Sequence, residues 1–291
     1  MRDWFRRLLL ISAVASVVCF AAAGAEGKPK LHLTVASFNI RIPVDQAPND
    51  WKHRKTRVIK DIRRMKPDVF GLQEATPKQI SDLEVLGYRH IGHGRERNRK
   101  GEATPVFYDP RRFELVGGRT IWLSKTPRVF SLAAGADMPR VVTVGVFREK
   151  TSGREFVFAS THLHHRNQRV CHMEQIRAVL DELGPHIRRG MTVFLVGDFN
   201  SAPSGIAPRE TAKVLRDSYL VSEKKPVQPE PCTYHGYSSP GRRKSRRTGP
   251  RIDYIWVTPD VRVLRYESVN NFDERDLASS DHYPQLAEVE F

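Results

Sequence analysis

Apolar residues along this chain recur in two distinct patterns. Runs that alternate with polar residues or stay continuously apolar, the signature of strands, lie at Leu31 to Ile40, Asp68 to Leu72, Pro105 to Tyr108, Val141 to Phe147, Glu155 to Ser160, Thr192 to Val196, Ile252 to Val257 and Gln285 to Phe291. Helical spacing of three and four residues appears in Val170 to Ile187, through Val170, Met173, Ile176, Val179, Leu180 and Leu183, and in Lys52 to Met65, through Val58, Ile62 and Met65. Several strands follow one another directly, and others are separated by helices, so the expected class is α/β layers with substantial antiparallel pairing. No internal repeat and no long low-complexity linker interrupts the chain. A single domain over 31–291, preceded by a short tether at 26–30, is the simplest organisation.

The polar residues worth explaining stand at the ends of these apolar runs: Asn39, Glu74, His162, Asp198 with Asn200, Asp253, and Asp281 with His282. Carboxylates and imidazoles are costly inside a protein unless a metal, a partner or a substrate compensates them. Taken singly, each could be a cap or a turn residue; repeated at six strand ends, they point to one site. In an extended segment, residues two apart face the same way, so Asp198 and Asn200 can address one substrate atom together. Oxygen ligands of this kind suit Mg²⁺ or Mn²⁺, which often bridge to phosphate. Zinc is disfavoured, because the cysteines are far apart and no His-x-x-x-His helix is present. His164 and His165, beside His162, read as loop residues near the site rather than ligands.

Composition narrows the picture. With 291 residues, 40% hydrophobic and 28% charged, the chain falls among ordinary globular proteins and can bury a sizeable core. Arg2, Arg6 and Arg7 precede the apolar run Leu8 to Gly24, which ends in Ala23-Gly24-Ala25, so residues 1–25 read as a secretory signal and the protein as secreted or periplasmic. A retained anchor is the alternative, and no membrane span is expected after signal cleavage. The net charge of +15 falls only to +13 without that segment, which favours polyanionic substrates or partners, with a generally basic, soluble surface as the alternative. Cys171 and Cys232 remain, and in an oxidising compartment they could form a disulfide.

The motifs Ser37-Phe38-Asn39-Ile40-Arg41, Pro67-Asp68-Val69-Phe70-Gly71-Leu72-Gln73-Glu74, Ser160-Thr161-His162-Leu163, Gly197-Asp198-Phe199-Asn200, Arg251-Ile252-Asp253-Tyr254-Ile255 and Ser280-Asp281-His282 occur in this order over nearly the whole chain. In that arrangement the sequence resembles the endonuclease/exonuclease/phosphatase superfamily, the DNase I-like metal-dependent phosphoesterases. Ile121-Trp122-Leu123-Ser124-Lys125-Thr126-Pro127 and Thr233-Tyr234-His235-Gly236-Tyr237 are similar to a bacterial branch whose substrates are poorly defined. The resemblance implies a four-layer α/β sandwich, two packed mixed sheets flanked by helices, with the site at one end between the sheets. It implies that Asn39, Glu74 and Asp281 serve the cation, and that Asp198 orients or deprotonates the attacking water with Asn200 beside it. Asp253 would pair with His282 for acid–base work, and His162 would stabilise charge on the phosphoryl oxygens.

One departure bears on substrate. The abasic-site endonucleases of the superfamily carry an acidic residue two positions after the strand-end Asn, where this chain has Arg41; that weakens a DNA-repair role. Arg41 could instead meet substrate phosphate, with a surface salt bridge as its alternative. His164, Tyr234 and His235 are further candidates for substrate contact. The segment Arg242-Arg243-Lys244-Ser245-Arg246-Arg247 would attract a polyanion near the site. The resulting expectation is a secreted Mg²⁺- or Mn²⁺-dependent phosphodiesterase or nuclease acting on nucleic acid or nucleotides, with no stable protein partner implied. A phosphatase or phospholipase C-like hydrolase of sugar, inositol or lipid phosphates is the enzymatic alternative, and an inactive phosphate-binding module the alternative of another class.

Overall fold

The computed structural model describes residues 30–166, 168–224, 232–238 and 249–291. Residues 1–25, read above as a secretory signal, and the basic segment 242–247 lie outside the described residues. Along the chain run β1 (His32–Asn39), α1 (Trp51–Met65), β2 (Val69–Gln73), α2 (Pro77–Leu83), β3 (Arg89–Ile91), β4 (Val106–Tyr108), β5 (Phe113–Trp122), β6 (Val141–Glu149), β7 (Glu155–His162) and α3 (Arg169–Arg188). They are followed by β8 (Thr192–Asp198), α4 (Ile206–Thr211), β9 (Arg216–Asp217), α5 (Ser218–Val221), β10 (Asp253–Val257), β11 (Arg262–Ser268) and β12 (Gln285–Glu290). One six-stranded sheet has the order β11-β12-β1-β2-β4-β3, the other β5-β6-β7-β8-β10-β9. Both are mixed: β1 and β2 pair in parallel, as do β7 and β8, while their other neighbours are antiparallel.

Three apolar cores correspond to the three interfaces of a four-layer sandwich. Between the sheets pack Leu33, Val35, Phe156, Phe158, Phe194, Val196, Ile255 and Val289. The opposite faces are covered by helices: Ala36, Phe38 and Phe70 pack under Val58, Ile62 and Met65 of α1, and Val157, Ala159, Val193 and Leu195 under Ile176, Val179 and Leu183 of α3. Successive side chains of a strand point to opposite faces. Central strands covered on both faces therefore read as continuous apolar runs rather than alternating ones. This is why β1, β7 and β8 were conspicuous in the sequence.

The strands that escaped the hydrophobic pattern, β3, β5, β9 and β11, lie at the edges of the two sheets. β5 carries Gly117-Gly118 and is exposed over much of its middle, and β11 alternates only weakly, so neither has enough apolar residues to signal a strand.

Helix α1 starts at Asp50, whose side chain accepts from the His53 N–H, and stops at Lys66, a left-handed residue whose N–H bonds to Ile62 O. Its Arg54 is completely buried and donates to the carbonyls of Ile40, Arg41, Asn49 and Ser279. That one guanidinium joins the loop after β1 to the loop before β12, the two segments that carry Arg41 and Asp281. No helix among the described residues is long and apolar enough to cross a membrane.

The two cysteines do not form the disulfide that an oxidising compartment would permit. Cys171 is buried near the start of α3, and Cys232 donates its thiol to Tyr234 O at 2.9 Å.

Candidate active site

Strand register brings the polar residues together. His162 is paired with Asp198 across β7 and β8, Asp253 with Asp198 across β10 and β8, and Asn39 with Gln73, next to Glu74, across β1 and β2. The two sheets are pinned to each other just beneath: Gln73 Nε2 donates to Ser160 Oγ at 3.1 Å, and Ser160 Oγ donates to Leu72 O at 3.2 Å. Gly71 permits this approach, because a Cβ there would lie 2.5 Å from Ser160 Oγ and 2.7 Å from a Val196 methyl. Three site residues that are not glycine, Arg41, Glu74 and Asn200, have left-handed backbones with φ of 58°, 60° and 47°. Such conformations cost of order 1–3 kcal/mol each and concentrate at functional sites.

The result is an open cleft of about 480 Å³, lined among others by Arg41, Glu74, His162, Asp198, Asn200, Tyr234, Asp281 and His282. At its floor Asp198 accepts from Asn39 Nδ2 at 3.0 Å and from the Asn200 backbone N–H at 2.8 Å. Its Oδ2 lies 3.5 Å from His162 Nε2 and 3.7 Å from His282 Nε2. Burial, followed by the charge of Asp253, raises the Asp198 pKa, which suits a carboxylate that must take a proton near neutrality. His282 Nδ1 donates to Asp253 Oδ2 at 2.9 Å, and Asn271 Nδ2 donates to the His282 carbonyl at 2.8 Å. Burial would pull the imidazole down, but Asp253, Asp198 and Asp281 outweigh it and hold His282 raised to about 10, a cation at neutral pH.

Two donor sets fit a metal differently. Asp198, Asp253 and His282 offer ligand atoms within 4.8 Å of one another. There, however, the imidazole is already committed to Asp253, and this trio is better read as a proton-handling group. Glu74 and Asp281 form an all-oxygen pair, the chemistry of Mg²⁺ or Mn²⁺. The Arg41 guanidinium lies 3.9 Å from one carboxylate and 3.8 Å from the other, a positive charge where a cation would stand. Asn39 stands beside this set as a hydrogen-bond partner: its Nδ2 donates to Glu74 Oε1 at 3.1 Å, while Oδ1 accepts from the Arg41 N–H.

Most of the residues singled out in the sequence line the cleft or stand directly behind it, with two exceptions. His164 is fully buried outside the lining, its Nε2 2.8 Å from Asp137 Oδ1. His235 is likewise buried, its ring packed on Tyr283 and Phe272 at 4.4 and 4.7 Å. Tyr234 does reach the cleft, its ring centroid 4.9 Å from that of His282. Arg41 pairs with Asp45 at 3.1 Å, as its salt-bridge reading expects, and its side chain also lines the cleft. Arg95, Glu102 and Arg140 also line it and went unrecognised, and so does His165, which the sequence placed in a loop near the site. Arg140 could have been noticed, since it is a cation placed directly before the apolar run of β6.

The profile of the Endonuclease/Exonuclease/phosphatase family matches residues 36–282. The chain belongs to this family. A family member from Bacteroides vulgatus has a similar structure, with a TM-score of 0.81, 29% identity, and coverage of 90% of this chain and 99% of that one. A mannosyl-6-phosphatase of Bacteroides thetaiotaomicron is similar at a TM-score of 0.79 and 28% identity, covering 89% of this chain and 100% of that one. Among curated proteins, Protein angel of Drosophila melanogaster is 26% identical over 166 residues, 53% of this chain and 44% of its own length. The chain thus spans less than half of that relative. Membership and neighbours agree with the cleft on the reaction class, hydrolysis of phosphoesters, and the two six-stranded sheets agree with the DNase I-like sandwich.

Proposed function

We propose that this protein is an exported, divalent-metal-dependent phosphoester hydrolase whose preferred substrates are phosphomonoesters of small polar molecules, sugar phosphates foremost. The observation that carries the chemistry is the buried Asp198 carboxylate between two imidazoles, beside the Glu74 and Asp281 pair. A divalent cation held by Glu74 and Asp281, with Asn39 behind them, would supply charge compensation for the phosphoryl group. Asp198, with its raised pKa, takes a proton from the attacking water. His282, its charge held by Asp253, faces the phosphoryl oxygens as a donor, and Asn200 and His162 add hydrogen bonds there.

The monoester preference rests on two supports. The mannosyl-6-phosphatase matches along its whole length, and Arg41, Arg95 and Arg140 in the lining suit a phosphate carrying nearly two charges. The second reading, cleavage of phosphodiesters in nucleic acid or nucleotides, is favoured by the net charge of +15. A panel of sugar phosphates, inositol phosphates, nucleotides, single-stranded DNA and RNA, each with Mg²⁺, Mn²⁺ or chelator, separates them. Phosphate release from monoesters alone is expected; faster cleavage of DNA or RNA would make the second reading the right one, and turnover indifferent to chelator would overturn the metal. Export is tested separately: a mature N-terminus following Ala25 in the periplasmic or culture fraction supports it, and an intact Met1 there counts against it.

A further inference from the structure

The two imidazoles that flank Asp198 meet opposite partners on their outer nitrogens. His282 Nδ1 faces a carboxylate, Asp253 Oδ2, at 2.9 Å. His162 Nδ1 faces a guanidinium, Arg140 Nη1, at 3.0 Å. Donors face both ring nitrogens, Arg140 at Nδ1 and the Asn200 amide nitrogen 2.9 Å from Nε2, and a ring with one proton can accept from only one of them. The guanidinium is the charged and stronger donor, and the Asp198 carboxylate 3.5 Å from Nε2 is an acceptor on that side, which assigns the accepting lone pair to Nδ1. The ring is then neutral and its single proton sits on Nε2, which faces the cleft.

A second observation bears on what that proton meets. Asn200 Nδ2 donates to Leu163 O at 3.1 Å, which fixes the orientation of its amide, and the same nitrogen lies 2.9 Å from His162 Nε2. Two N–H groups are therefore gathered at one point, and Asp198 Oδ2, 3.5 Å from Nε2, is the neighbouring acceptor. An oxygen of a bound phosphoryl group would satisfy both donors, whereas the tautomer protonated on Nδ1 would not give this pair.

Arg140 is itself held in place. It is buried, and Glu102, which pairs with Arg95 at 2.6 Å, lies 3.7 Å from its Nη1. The charged groups around His162 reinforce a neutral ring: burial first, then Arg140, His282, Arg95 and His165 all disfavour its protonation.

We propose that Arg140 is a positioning residue that locks His162 as the neutral tautomer with its proton on Nε2, so that His162 and Asn200 form a two-donor notch for a phosphoryl oxygen. The notch rests on the phosphoester reading above; the tautomer does not. The division of labour follows: His282 is the cationic imidazole of the site and His162 the neutral one, because one has an acceptor behind it and the other a donor.

Nitrogen NMR of the full chain tests the lock without any substrate. In the wild type, His162 is expected to show a pyridine-like Nδ1 and a pyrrole-like Nε2 from about pH 5 to 9, across the usual histidine titration near 6.5. A pyrrole-like Nδ1, or a doubly protonated ring at neutral pH, overturns the proposal. In Arg140→Met, where Arg95 still neutralises Glu102, His162 is expected to begin titrating in that range. Its kcat should fall about a hundredfold, with a new ionisation in the kcat profile and a smaller change in KM. Arg140→Lys retains a cationic donor and should keep the wild-type tautomer and profile shape. A folded Arg140→Met protein with unchanged tautomer and profile refutes the role; if that variant does not fold, the wild-type spectrum alone decides. A wild type with the expected tautomer but no phosphoester turnover would sink the proposed function and leave the lock standing.

Discussion

Replacing Asp253 with Asn tests the electrostatic design of the site most directly. The substitution keeps the shape of the side chain and removes the charge behind His282. In the folded protein the imidazole is raised from 6.5 to about 10, with Asp253 the largest raising influence and Asp198 and Asp281 behind it. Each pKa unit corresponds to about 1.4 kcal/mol, so the whole shift is worth about 5 kcal/mol in favour of the imidazolium. If Asp253 supplies at least half of it, Asp253→Asn should lower the His282 pKa by about 2 units or more, close to 3 kcal/mol. The sign follows from the raised pKa. This stabilisation is fully present below about pH 6.5 and is lost as pH rises through about 10. Urea denaturation should therefore show the variant's deficit at pH 6 and a much smaller one at pH 10. Turnover should fall at least about a hundredfold at neutral pH, since an acid–base group is worth about 10² to 10⁴ in rate. NMR titration of His282 is the deciding assay. A ring that still titrates near 10 in the variant, together with kcat within a few-fold of wild type, would refute the reasoning.

Other expectations follow from single contacts. Asp198→Asn should leave a folded protein whose turnover is reduced at least about a hundredfold; near-wild-type kcat would remove Asp198 from its role. Glu74→Gln should weaken Mn²⁺ binding in calorimetry by tenfold or more, and unchanged affinity would place the cation elsewhere. Arg54→Met leaves four carbonyls without their shared donor, and a loss of about 3 kcal/mol or more in denaturant unfolding is expected. Gly71→Ala puts a methyl 2.5 Å from Ser160 Oγ between the sheets, and a destabilisation of about 1–3 kcal/mol is expected; an unchanged midpoint would mean the sheets are not tightly apposed there.

Much of this site was legible because central strands covered on both faces are apolar without interruption, so Asn39, Glu74, His162 and Asp198 stand out where those runs end. The edge strands were not legible, because half-exposed backbone tolerates Gly and polar residues. Nor were Arg95 and Glu102, which come from a loop, where charged residues are ordinary. For His164 and His235, candidates for substrate contact by their place beside or within a motif, only packing reveals that one is tied to Asp137 and the other sits among aromatic rings.

What the order of residues determined by itself was the layering, the family and the roster of acidic and imidazole groups, because each of these depends on periodicity and type along the chain. Which groups touch was decided by tertiary structure alone. Asp253 lies behind one imidazole and Arg140 behind the other because three strands and two loops, distant in sequence, meet at one end of the two sheets. Protonation state depends on those neighbours rather than on residue type, so the difference between a cationic His282 and a neutral His162 could be read only from the folded protein.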